Sequence, residues 1–202
     1  MYDINIQSLP GNTVGSLTSK QHAILVGSLL GDGALRKQGK RKNALLEVNH
    51  AYKYKSYVDW KYNHFYHYVL TCPKARQGTG IRVAYRFTTR SLPVFTNYYE
   101  WFYKNGKKQI PSNLILDPIS LAVWFMDDGS KSRNALYLNT QQFTKDEQQL
   151  LSIKLREQFE IHSTLHCDKK YHRLYINTKS VPKMIEIIRA NILPCFRYKI
   201  TL

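Results

Sequence analysis

Asp32 and Asp128 occupy the same place in two similar segments, LVGSLLGDG (25–33) and LAVWFMDDG (121–129). Each segment is an apolar run, with a small or branched residue at its third position, that stops at Asp-Gly. That is the pattern of a buried helix delivering one carboxylate at its C-terminal tip. A carboxylate there faces the negative end of the helix dipole and weakens the helix, and a bound divalent cation would supply a reason to keep it. One Asp-Gly after an apolar run is ordinarily just a turn. Its recurrence about a hundred residues later, after a similar run, points to two matched carboxylates instead.

The elements that must position these acids can be read outward from them. Residues 1–18 read as a polar arm, with Thr18 or Ser19 available to cap the first motif helix. Gly27 and Gly31 lie one helical turn apart and leave a side without bulk, open to close approach of a second helix; their counterparts are Val123 and Asp127. After Gly33 comes a basic turn carrying Arg36, Lys37, Lys40, Arg41 and Lys42, then an alternating strand with Ala44, Leu46 and Val48 facing inward. Tyr52 to Val69 has helical spacing, and its His64 and His67 read as helix-face packing residues in the absence of a third metal ligand.

The clearest strand pattern is GIRVAYRFTTR (80–90): Ile81, Val83, Tyr85 and Phe87 point one way, and Arg82, Arg86 and Arg90 point the other. Arginine along a strand face suits guanine readout in a major groove. A helix from Pro93 to Lys104 and a linker around NGKKQIPSN follow. The second half replays the first. KSRNALYLNTQ alternates with Arg133, Tyr137 and Asn139 on one face beside Lys131; Thr144 opens an amphipathic helix; strands near 161–167 and 172–177, the latter with Arg173 and Tyr175, precede a helix from Val181 to Leu193. His162, His166 and His172 read as nucleic-acid-facing or solvated positions. The expected order is α-β-β-α-β-β-α, twice.

Across 202 residues the chain carries 30 Lys and Arg against 14 Asp and Glu, a formal net charge of +16. The first hundred residues hold 14 basic and 5 acidic side chains and the remainder 16 and 9, so the excess is shared rather than confined to a tail. A polyanion lying across both halves, nucleic acid rather than membrane, is the partner this distribution fits. Three scattered cysteines make neither a disulfide framework nor a zinc pattern, and a reducing compartment is expected. No signal peptide, transit pattern or spanning segment is legible, so an intracellular protein is expected; its richness in Tyr, Lys, Asn and Ile fits an organellar genome.

Both nine-residue segments resemble the motif that names the LAGLIDADG homing endonucleases, in the two-copy arrangement of the monomeric, intron-encoded members. The resemblance runs from Ser19 to Leu202 and includes KKQIPSNL, LNTQQFT and RYKI. It implies an α+β fold of two pseudo-symmetric repeats, at 19–104 and 118–202 around a linker at 105–117, with saddle-shaped antiparallel sheets and a central pair of motif helices. It implies further that Asp32 and Asp128 bind the catalytic metal, with Asp127 secondary. Lys108 and Lys199 match the basic lysine of each repeat, and Gln141 and Asn49 the polar residues that orient water; His50 or Glu47 are alternatives to Asn49. Hard oxygen donors favour Mg²⁺ over zinc, and a carboxylate-bound Mg²⁺ can activate water and stabilise both the phosphate and the leaving oxygen. The expected activity is site-specific cleavage of both strands of a long, asymmetric duplex DNA target, promoting intron mobility. The alternative is a splicing maturase of the same fold that binds intron RNA.

Overall fold

A computed structural model describes residues 16–39, 42–78, 80–168 and 171–201. The polar arm lies outside these residues apart from its last three positions. The first motif forms α1 (Ser19–Leu30), and Thr18 caps it: the Thr18 amide donates to Gln21 Oε1 at 2.8 Å while the Gln21 amide donates to Thr18 Oγ1 at 3.2 Å. This reciprocal pair satisfies two of the four amide donors that a helix start leaves open. Between Ala23 and Leu30 every apolar side chain is at most 1 % exposed. A helix that is apolar all round is stable only when enclosed on all sides.

From α1 the chain enters β1 (Ala34–Lys37) and β2 (Ala44–Ala51), then α2 (Lys55–Phe65), β3 (Lys74–Gln77), β4 (Val83–Thr88) and α3 (Pro93–Phe102). The four strands make one antiparallel sheet in the order β1-β2-β4-β3. Helix α2 covers one face of β2 and β4, which buries Leu46, Val48, Tyr85 and Phe87. A short hairpin, β5 (Tyr103–Lys104) with β6 (Lys107–Lys108), turns through Asn105 and Gly106, both at positive φ. The stretch expected to be plain linker therefore has strand structure of its own.

The second motif forms α4 (Pro118–Asp128), opened by a capping box between Asp117 and Ser120 with Pro118 at the first helical position. Leu121 to Met126 are all 1 % exposed or less. Then follow β7 (Gly129–Ser132), β8 (Ala135–Leu138), α5 (Lys145–Phe159), β9 (Ser163–Asp168), β10 (Tyr171–Ile176) and α6 (Val181–Arg189). Their sheet order, β7-β8-β10-β9, repeats that of the first sheet. Thr144 caps α5 through the expected box with Glu147, and α6 packs against α4. The α-β-β-α-β-β-α order thus occurs twice.

The chain divides into two compact units. The first runs to Leu25 and resumes from Asp32 to Trp101; the second takes Val26–Gly31 together with Phe102–Leu202. The C-terminal half of α1 therefore belongs with α4. Gly27 and Gly31 explain this, because a Cβ on Gly27 would fall on the Ser120 carbonyl oxygen and within 2.7 Å of Val123 Cβ. A Cβ on Gly31 would land on Asp127, 2.8 Å from its Oδ2. The two glycines meet the two positions that the motif alignment pairs with them.

Several sequence expectations change. The helix over 52–69 is α2 flanked by 3₁₀ turns at Tyr52–Tyr54 and Tyr66–Tyr68. The long strand over 80–90 shortens to Val83–Thr88, because pairing with β2 ends at Thr88 and with β3 begins at Val83. Ile81 is consequently 97 % exposed rather than core, and Val83 is exposed as well. Arg82 precedes the strand and Arg90 follows it, so only Arg86 of the three arginines lies within it. The 131–141 run is a hairpin in which Arg133 turns the chain at φ 51. Strand β3, with Lys74 and Arg76, takes the one strand position of the first repeat that no sequence pattern locates.

Candidate active site and nucleic-acid interface

In the first unit Asp32, in the turn after the motif helix, lines an open cleft of about 780 Å³ together with Asn49, His50, Tyr52 and Arg82. Its carboxylate is half exposed, and its Oδ2 lies 3.4 Å from Nδ1 of His50. Strand alternation places His50 inward, against the Tyr57 ring at 5.0 Å, and turns the neighbouring Asn49 outward. Asn49 faces Arg86 across the β2–β4 ladder. Of the polar residues at this end of β2, His50 is thus the one in contact with the motif carboxylate.

In the second unit the last carbonyls of both motif helices are held by lysines. Lys108 Nζ donates to the Gly31 carbonyl at 3.1 Å, and the buried Lys199 Nζ donates to the Met126 carbonyl at 2.7 Å. Helix C-termini leave four carbonyls without intrahelical partners and carry the negative end of the dipole, so an ammonium held there offsets both. The Asp128 carbonyl accepts from the Asn139 amide at 2.9 Å and from Asn139 Nδ2 at 2.7 Å. Asn139 therefore fastens the motif end. Gln141 is half-buried in the turn after β8. The adjacent Gln142 reaches the motif ends, with Nε2 donating to the Leu30 carbonyl at 3.1 Å and standing 3.4 Å from Asp128 Oδ2. The doubled glutamine in LNTQQFT was the available signal, but sequence alone could not choose between its members.

The face of each sheet that alternates away from the core carries polar side chains. On the first, Arg86 stands opposite Lys74 and Asn49, and Arg36 pairs with Glu47 at 3.1 Å. Lys37 turns elsewhere, to Glu100 at 3.7 Å and over the Tyr99 ring. Lys42 is exposed in the turn before β2, whereas Lys40 and Arg41 lie outside the described residues. On the second sheet, Tyr175 sits opposite Tyr137 and stacks on His166 at 4.2 Å, with the Arg173 guanidinium 4.2 Å from the Tyr137 ring centre. His166 belongs to this aromatic and cationic patch. Lys131 donates to the Thr201 carbonyl, and Arg133 is exposed at the hairpin turn. His64 packs edge-on against Trp60, and burial, helped by the Lys20 charge, lowers its pKa.

These features agree with comparison to known proteins. The profile of the LAGLIDADG DNA endonuclease family matches residues 22–184. A probable intron-encoded endonuclease of Wickerhamomyces canadensis is 30 % identical over 200 residues, covering 92 % of this chain and 85 % of that protein. The cytochrome b mRNA maturase bI2 of Saccharomyces cerevisiae is also 30 % identical and covers 94 % of this chain, which spans about half (49 %) of that protein. Among solved structures, the homing endonuclease I-WcaI bound to its DNA recognition sequence superposes with a TM-score of 0.85 at 28 % identity, covering 92 % of this chain and 88 % of that one. A repeated α-β-β-α-β-β-α order, each copy led by a buried helix that runs into Asp-Gly, and a family-model match over most of the sequence place this chain in the LAGLIDADG DNA endonuclease family.

Proposed function

We propose that the protein is a monomeric homing endonuclease, encoded within an intron of an organellar genome, that cuts both strands of a long asymmetric DNA target with Mg²⁺. The observation that carries this reading is the doubled arrangement at the motif ends. An aspartate stands at each helix end, Asp32 two residues past α1 and Asp128 as the last residue of α4, and a lysine, Lys108 or Lys199, is anchored on a backbone carbonyl there. Asp32 and Asp128 offer the hard oxygen donors that suit Mg²⁺, and such an ion would polarise the scissile phosphate and lower the pKa of bound water. The lysines bring positive charge beside each acid. Asn49, Gln141 and Gln142 supply amides that can orient water. Arg36, Arg82, Arg86, Tyr137, Arg173 and Tyr175 serve the DNA on the two open sheet faces, and Lys42 and Arg133 suit phosphates at hairpin turns.

The lysines furnish the first test. Lys108→Met and Lys199→Met are each expected to slow cleavage with little change in affinity, because one phosphate contact is a small part of a broad basic interface. Strand-resolved cleavage of a single substrate should show nicked intermediates of opposite strand preference in the two variants. Normal rates on both strands in both variants would reduce these lysines to helix-end supports.

Readout is tested separately at Arg86. Its replacement by Ala is expected to cost about 1–3 kcal/mol on the preferred target and to relax preference at one or two base pairs. Equal weakening on every sequence, with a shallower salt dependence, would show a phosphate contact that does not read bases. The similarity to a maturase favours one second reading, an RNA-splicing role on the same fold. Tighter binding to the host intron RNA than to the uninterrupted gene junction, with no cleavage of that junction, would favour it.

A further inference from the structure

We propose that His50 is a ligand of the metal at Asp32, so that this half of the active centre presents a mixed nitrogen and oxygen donor set. The inference rests on the reading of Asp32 as a metal-binding carboxylate and extends it to a side chain of different chemistry. The Asp32 Oδ2 to His50 Nδ1 separation is 3.4 Å, longer than a good charge-assisted hydrogen bond, which spans about 2.7–2.9 Å. It equals the spacing of two donors that each lie about 2.1 Å from one ion and subtend an angle of about 110° there. An ion could take both donors without moving either residue.

The surroundings favour coordination over a passing contact. His50 lies on β2, whose pairing with β1 sets Ala34 opposite Glu47, and continuing that register brings Asp32 alongside the residues just after Glu47. The imidazole is only 6 % exposed and packs against Tyr57, while the Asp32 carboxylate is 50 % exposed. One donor is thus held by packing and the other is open to solvent, on the wall of the same cleft. A pre-positioned imidazole loses little conformational freedom on binding a metal. Imidazole suits cobalt, nickel and zinc better than magnesium, which keeps to oxygen. In the second half the Gln142 amide stands 3.4 Å from the Asp128 carboxylate. The two halves would then differ in metal preference although their motifs match.

The test is binding of Co²⁺ and Ca²⁺ to the full chain without DNA, by titration calorimetry and by the visible spectrum of bound Co²⁺, in the wild type and in His50→Gln. The substitution is expected to lower Co²⁺ affinity at one site by about 10- to 100-fold and to change its spectrum, while Ca²⁺ affinity shifts by less than about threefold, because calcium prefers oxygen donors. Unchanged Co²⁺ affinity and spectrum in His50→Gln would overturn the proposal. Because His50 is packed in the unit, pulsed electron paramagnetic resonance of Mn²⁺ bound to the wild type gives a second measurement. An imidazole nitrogen coupling supports ligation, and no such coupling in the intact protein overturns it. Asp32→Asn separates the two levels of inference: if it binds Co²⁺ as the wild type does, the metal-binding reading of Asp32 itself fails, whereas a loss confined to Asp32→Asn removes only His50.

Discussion

Asp32→Asn and Asp128→Asn are each expected to abolish double-strand cleavage while leaving specific DNA binding nearly intact. The amide keeps the shape of the side chain and removes the charge that would hold a divalent cation. A metal acting as Lewis acid and water activator supplies several kcal/mol of transition-state stabilisation, so about 4 kcal/mol lost corresponds to roughly a thousandfold slower reaction. Binding should survive because the side chains proposed to read the DNA, Arg86 and the Tyr137–Tyr175–His166 patch, stand on the sheets rather than at the motif tips. Single-turnover cleavage and a gel-shift titration on one substrate, with Mg²⁺ varied, would separate the two quantities. Cleavage by either variant near the wild-type rate refutes the assignment of that aspartate.

Gly27 carries the largest expected effect on stability. Gly27→Ala gains about 1 kcal/mol of helix propensity. It must also place a methyl group against the Ser120 carbonyl oxygen and 2.7 Å from Val123 Cβ, both on the buried helix α4. Overpacking of a tight interior costs about 1–3 kcal/mol, and neither obstacle is the flexible end of a side chain, so the steric term wins. Net destabilisation of about 1–2 kcal/mol is expected for Ala, and larger for Leu, seen as a lower urea midpoint at unchanged slope. An Ala variant as stable as the wild type would mean that α1 and α4 are not in close contact at Gly27.

Much of the architecture was legible because it depends on local rules. The capping boxes at Thr144 and the cap at Thr18 could be read from residue type and spacing, since their hydrogen bonds close within three residues. The motif helices were legible because a run with almost no polar residues can only be enclosed. The close approach of Gly27 and Gly31 to Val123 and Asp127 was readable from repeat alignment, since two related helices that meet along their length bring equivalent positions together. Strand boundaries were less accessible. The 80–90 run alternates perfectly, yet its length is set by partners: β2 and β3 pair only with Val83–Thr88, which leaves Ile81 in solvent and Arg90 beyond the strand. Strand β3, short and wholly exposed, has no apolar face to announce it and exists because β4 offers it an edge.

From its own residues the sequence determined the doubled repeat, the two acids at helix ends and a basic charge spread over both halves, because periodicity, helix-end chemistry and net charge are properties of the chain itself. Tertiary structure alone decided which polar side chain attends each acid. His50 rather than Asn49 meets Asp32, because strand alternation turns adjacent residues to opposite faces and only the fold says which face holds the carboxylate. Gln142 reaches the motif ends, and Asn139 fastens the Asp128 carbonyl, because the turn after β8 aims those amides. Hydrogen bonds between residues far apart in sequence depend on directions that spacing does not encode.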